Sequence, residues 1–213
     1  MRYIAALAVL LALSCAKAPG VSVAERTGPD LAEDLFSKTV ALVQDRGGDW
    51  KTYCAGVWVG PKSILTAAHC TRQVTLALDF PQEPLFIATR EDLKEGKPRA
   101  ALLVKRDTET DLALLEVGTA PAHPIAALRQ SPILPGEPCF IVGHPSGFTW
   151  TFTNGAVSGI RENRIQTWAT VWFGNSGGGM FDAQGNLMGI ASTLHGSLKY
   201  AFFIHRDAIR AFL

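Results

Sequence analysis

The sequence predicts an all-β chain of two barrels, joined by a long crossover and closed by a short C-terminal helix. Two observations carry that expectation. From Ser37 onward the apolar residues fall into short runs cut by turn residues, which is a strand pattern. Midway, Thr119 to Pro138 holds Pro121, Pro124, Pro132, Pro135 and Pro138. A sheet cannot run through so many missing N–H donors, so this stretch is the crossover. The first barrel then spans about 35–118, the crossover 119–138 and the second barrel 139–213.

The chain opens on an address rather than on structure. Met1-Arg2-Tyr3 brings one positive charge, and Ile4 to Leu13 is unbroken apolar sequence, too short to span a bilayer and suited to a signal-peptide core. Leu11-Ala12-Leu13-Ser14-Cys15 resembles a bacterial lipobox, in which the cysteine is lipidated and becomes the mature N-terminus. A competing cut after Ala16-Lys17-Ala18 would leave Pro19 first, which counts against it. Residues 1–19 are therefore expected to be a signal peptide. An acylated Cys15 would hold the protein on a membrane surface without a spanning helix, in the periplasm or at the cell surface. Gly20 to about Asp34 is polar with weak helical character and reads as a tether.

The net charge of +1 advertises no basic face for nucleic acid or acidic lipid. The remaining length suits one domain with a good core, or two small barrels sharing one.

In the first half, Val40 to Val43 is an apolar run ended by Gly47-Gly48. Ala55 to Val59 and Ser63-Ile64-Leu65 flank the turn dipeptide Gly60-Pro61. Thr66-Ala67-Ala68-His69-Cys70 follows. A bridge from Cys54 to Cys70 would close the hairpin just before His69; export favours it, and the loop-entropy account puts it at roughly 3 kcal/mol. Asp111 opens the apolar run Leu112 to Leu115, while Asp107 and Glu109 lie in a polar stretch that reads as loop. In the second half, Cys139 to Val142 restarts the strands. Phe148, Trp150 and Phe152 alternate with threonines, predicting a half-buried strand, and Asn154-Gly155 reads as a hairpin turn into Ala156 to Ile160. Leu187 to Ser192 and Tyr200 to Ile204 complete the strands, and Asp207 to Leu213 forms the helix.

The most unusual stretch is Gly174-Asn175-Ser176-Gly177-Gly178-Gly179. Glycine carries an entropic cost that is justified where the backbone needs positive φ or a close approach. A nucleophilic serine beside backbone N–H groups aimed at an oxyanion needs both.

Thr66-Ala67-Ala68-His69-Cys70 with Cys54, Asp111-Leu112-Ala113-Leu114-Leu115, and Gly174-Asn175-Ser176-Gly177-Gly178, in that order, resemble the motifs of the trypsin/chymotrypsin superfamily of serine peptidases. The form of the last, together with Ile165-Gln166-Thr167 and Gly185-Asn186-Leu187-Met188-Gly189-Ile190, is similar to the HtrA-type (Deg) branch. The resemblance implies two six-stranded Greek-key barrels with a site in the cleft between them, and a serine endopeptidase acting on proteins or peptides. It implies Ser176 as nucleophile, His69 as general base, Asp111 as the carboxylate that orients it, and the N–H groups of Gly174 and Ser176 as oxyanion hole. It also places Thr170, six residues before the serine, with Val171, Ala201 and Phe203 around the primary specificity pocket. With no carboxylate there, cleavage is expected after small or medium apolar residues rather than Lys or Arg.

The chain departs from the branch in three places: Gly179 stands where a proline is usual, Trp172-Phe173 is bulky, and no PDZ domain is expected after Leu213. Digestive relatives have an aspartate before the serine that binds the new N-terminal amine. Here Asn175 is uncharged, so the mature N-terminus is expected to take no part, and truncation to about Ala32 to leave activity unchanged. His144 reads as structural and Cys139 as a buried free thiol. His123, His195 and His205 lack metal-ligand spacing, so neither metal nor cofactor is expected. The competing function class is a catalytically silent peptidase-fold binding module, with Trp172 and Phe173 plugging the cleft.

Overall fold

The computed structural model describes residues 28–71, 84–195 and 200–213. The leader, the lipobox with Cys15 and the first part of the expected tether lie outside them.

The strand runs of the first half form β1 (Thr39–Asp45), β2 (Trp50–Trp58), β3 (Ser63–Ala67), β4 (Leu85–Ala88), β5 (Arg99–Asp107) and β6 (Leu112–Val117). They close a barrel in the order β1-β2-β3-β6-β5-β4. The second half supplies β7 (Pro138–Gly143), β8 (Thr151–Arg161), β9 (Arg164–Thr167), β10 (Gly179–Phe181), β11 (Leu187–His195) and β12 (Tyr200–His205). These close a second barrel, β10-β11-β12-β9-β8-β7. Every ladder between named strands is antiparallel. The Gly60-Pro61 turn sits where the sequence puts it, with Val59 N–H donating to the Ser63 carbonyl.

Each barrel fills its interior with its own apolar side chains: Val40, Ile64, Ile87 and Leu115 in the first, Ile141, Ile165, Met188 and Phe203 in the second. A further cluster lies between them. It combines Val57, Leu65 and Leu112 from one barrel with Val142, Phe181, Leu187 and Ile190 from the other. The crossover is strapped over this seam: Ala126 N–H donates to the Trp58 carbonyl, and Leu187 N–H to that of Ala127. Only an isolated parallel bridge, Leu128 with Leu187, interrupts its irregular course.

Three expectations need correction. The tether does not reach Asp34, because α1 (Gly28–Ser37) is a helix. Leu31 and Leu35, four residues apart on one face, are buried in the seam cluster, so truncation to Ala32 would remove a core side chain. Next, the aromatic–threonine alternation does not begin a strand. Phe148 is exposed after a 3₁₀ turn (Pro145–Gly147), and Trp150 has φ +50° with its N–H donated to His144 Nδ1. That bond turns the chain back, and β8 starts at Thr151. Finally, Asn154-Gly155 is no hairpin turn. Both residues lie inside β8, paired with Phe140 and Cys139. The glycine is there for closeness: a Cβ on it would stand 2.7 Å from that of Ala169. Two further helices lie among the described residues. The sequence reading passed over α2 (Arg90–Glu95), capped by Thr89 and Asp92, whereas α3 (Arg206–Phe212) is the expected C-terminal helix.

His144 ties the barrels together. It is fully buried, donates from Nε2 to the Val40 carbonyl of β1 at 3.2 Å, and accepts from Trp150 through Nδ1. Burial pushes its pKa from 6.5 down to about 4, against the upward pull of the Val40 carbonyl. A depressed pKa means the stabilisation is full above 6.5 and is lost as pH falls toward about 4. Urea unfolding between pH 7 and 4 should therefore include a His144 share of about 3 kcal/mol, and His144→Gln should flatten the slope by that share.

Candidate active site

The side chains that the motifs single out converge on a cleft of about 770 Å³ between the barrels. His69 sits in a 3₁₀ turn (Ala68–Thr71) that ends β3, closed by Thr71 Oγ1 donating to the Ala68 carbonyl. The adjoining Cys70 is bridged to Cys54 of β2, with the Cα atoms 6.1 Å apart, so the turn cannot swing away from the sheet. Both sulfurs near His69 are thereby used. Cys139, on β7, is a free buried cysteine.

Asp111 lies just before β6, whose Leu112 pairs with Ala67 of β3. Its backbone is held at φ +64°, and its carbonyl accepts from Ala68 N–H. The carboxylate is saturated with donors. Oδ1 accepts from His69 N–H at 3.0 Å. Oδ2 takes His69 Nδ1 at 3.0 Å and the Ser192 hydroxyl at 2.5 Å. Burial alone would raise the Asp111 pKa. The bonds from His69 and Ser192 outweigh it and hold the carboxyl below the ordinary range. Donation of Nδ1–H to Asp111 leaves His69 Nε2 as the basic nitrogen. Asp107 is used elsewhere: it accepts from Glu109 N–H and from the Thr110 hydroxyl within its own turn.

Ser176 comes from the second barrel, yet its backbone is docked on the first: Ala55 N–H donates to the Ser176 carbonyl at 2.8 Å. The next residue must approach even closer. Gly177 has φ +80°, donates to the Ala191 carbonyl, and a Cβ on it would meet the Ala55 carbonyl and Thr66 Oγ1, each at 2.1 Å. Gly174, at φ +98°, has the His144 carbonyl 2.2 Å from where a Cβ would be. Gly179, where a proline is usual, starts β10 with the Phe181 ring against it. Asn175 is buried and donates to the Trp172 carbonyl.

The first barrel lines the cleft with Tyr53, His69, Thr108, Glu109 and Asp111. The second lines it with Arg164, Val171, Ser176 and Ala191 to Leu194, and Trp172 and Phe173 contribute as well. Of the expected pocket residues only Val171 is there. Ala201 and Phe203 alternate inward along β12 into the barrel core, and Thr170 is exposed. Sequence reasoning missed Ser192, Tyr53 and Arg164. Ser192 had one available signal, as the hydroxyl ending the apolar run of β11.

The sequence profile of the trypsin-like peptidase domain matches residues 54–190. The chain belongs to that family. Among curated trypsin-like relatives, it is 37% identical over 110 residues to the serine endoprotease DegS of Escherichia coli K12, covering 46% of this chain and 30% of that one. It is 35% identical over 116 residues to the serine protease Do-like HtrB of Bacillus subtilis, covering 47% and 25%. The chain thus spans less than a third of the length of these relatives. In structure it is similar to the serine endoprotease from Yersinia pestis, with a TM-score of 0.71 and 26% identity over 87% of this chain and 65% of that one. The trypsin-like fold and the HtrA-type resemblance both hold.

Ser192→Ala deletes one donor to Asp111. At neutral pH the variant should be about 1–2 kcal/mol less stable, by chemical denaturation. The deficit should shrink below pH 4, because a carboxyl whose folded pKa is depressed loses its stabilisation as it protonates.

Proposed function

We propose that this protein is an exported serine endopeptidase, hydrolysing peptide bonds through an acyl-enzyme formed on Ser176. The observation that carries the reading is the doubly anchored Asp111–His69 pair facing the same cleft as a serine in a tight glycine loop. Ser176 Oγ attacks the scissile carbonyl while His69 Nε2 takes its proton. Asp111 keeps the imidazole in that tautomer and stabilises the imidazolium. The N–H groups of Gly174 and Ser176 are the donors for the developing oxyanion, each worth roughly 3 kcal/mol. His69 then gives its proton to the leaving amine as the C–N bond breaks. Water, activated by the same base, cleaves the ester.

Among the described residues, β11 beyond Ala191 pairs with β12 alone, since the β10 ladder ends at Gly179 opposite Ile190. The free edge of Ser192 to Leu194 can take an extended peptide as an added strand. Val171, Ala191 and Leu194 give the cleft apolar surface, which fits cleavage after small or medium apolar residues. Trp172 and Phe173 are exposed, at 52% and 73%, and the cleft between the barrels stays open beside them, which disfavours the plugged binding module.

The leader carries the rest. Its apolar core and Cys15 support export, lipidation and attachment to a membrane surface, with proteins or peptides outside the cytoplasm as substrates. The uncharged Asn175 offers no partner to an N-terminal amine, so activity needs no activating cut.

A fluorophosphonate probe tests the reading. The purified domain should be labelled covalently at Ser176. Ser176→Ala should fold normally, take no label and lose roughly a millionfold in kcat. Near-native turnover by that variant, or label on another serine, would overturn it.

A further inference from the structure

Arg164 opens β9, where Ile165 and Thr167 turn into the barrel core and Arg164 and Gln166 are half-buried on the other face. Its side chain lies in the wall of the cleft that holds Ser176, in company with Thr193 and Leu194 of the free β11 edge. Its Nη1 is buried and has no hydrogen-bond partner among the described residues. A guanidinium N–H kept from water without an acceptor is unfavourable, and a carboxylate in the cleft that the side chain shifts to meet relieves it. The two carboxylates lining the cleft do not serve. Asp111 is saturated by His69 and Ser192, and Glu109 is exposed to solvent on the opposite wall.

We propose that Arg164 is a specificity-determining residue: the cleft selects peptides carrying an Asp or Glu side chain within three residues of the scissile bond. This rests on the endopeptidase reading above. An extended peptide rises about 3.3 Å per residue, so three residues cover roughly 10 Å of cleft from Ser176, and a guanidinium reaches several ångströms to meet a carboxylate. Its planar fork suits a carboxylate better than an amide, because the pair is bidentate and charge-assisted. An apolar residue at the cleavage position and an acidic one nearby are read by different parts of the same cleft.

The experiment compares matched peptide libraries in which Glu is replaced by Gln at each position around an apolar cleavage residue. For the unaltered protein, one position within three residues of the cut should favour Glu over Gln by about tenfold or more in kcat/KM. Arg164→Leu and Arg164→Gln should each lose that preference while Ser176 still takes the fluorophosphonate label. Arg164→Glu should favour Lys at the same position. Binding of fluorescent Glu and Gln peptides to Ser176→Ala, read by anisotropy, gives the same ratio without turnover. Equal handling of Glu and Gln by the unaltered protein, or a Glu preference that survives in both Arg164 variants, would overturn the inference and leave the peptidase reading intact. Absence of fluorophosphonate labelling would overturn the peptidase reading, and the anisotropy ratio would still decide the role of Arg164.

Discussion

The arrangement depends on one backbone contact between the barrels. Ala55 of β2 presents its N–H to the Ser176 carbonyl, and its own carbonyl, which also accepts from Thr66 Oγ1, faces the Cα of Gly177. No side chain fits in that gap, and the serine loop can rest there only because residue 177 is glycine at positive φ. The seam cluster pulls the barrels together, since apolar burial is non-directional. The hydrogen bonds across the seam, including the one from His144 to Val40, fix how they sit.

Once that contact is set, the division of labour follows. The first barrel holds the hydrogen-bonded His69–Asp111 pair, made rigid from several sides: a disulfide beside His69, a ladder pair between Ala67 and Leu112, and backbone and side-chain donors on Asp111. The second barrel delivers a serine and the free edge of β11, and Ser192 of that edge reaches back to Asp111. A displacement of either barrel would break the Ser192 bond and the Ala55 bond together. The positive φ of Asp111 is affordable in this setting because its carbonyl, like its carboxylate, is bonded.

The features legible in the sequence were those whose cause is local. A histidine beside a cysteine, an aspartate opening an apolar run and a glycine-flanked serine all carried through to the cleft, and prolines marked the crossover. What failed had a cause distant in the chain. Asn154-Gly155 looks like a turn until Ala169, from a later segment, is packed on Gly155. The alternation from Phe148 looks like a strand until His144 claims the Trp150 N–H. Leu31 and Leu35 look like stray apolar residues in a polar stretch until the seam between two barrels exists to bury them. The cleft walls were the least legible part, because Arg164 and Thr193 face the same space only through strand pairing.

Two glycine substitutions separate backbone strain from the proposed close approach. Gly47 and Gly177 both sit at positive φ, +71° and +80°, but a Cβ at Gly47 meets nothing within 4 Å. Gly47→Ala should cost only the strain of a left-handed alanine, about 1–2 kcal/mol, and leave fluorophosphonate labelling of Ser176 unchanged. Gly177→Ala should suffer the same strain plus the clash with Ala55, and labelling should fall by orders of magnitude even under conditions where circular dichroism shows the protein still folded. Labelling of Gly177→Ala at the rate of Gly47→Ala would contradict the account.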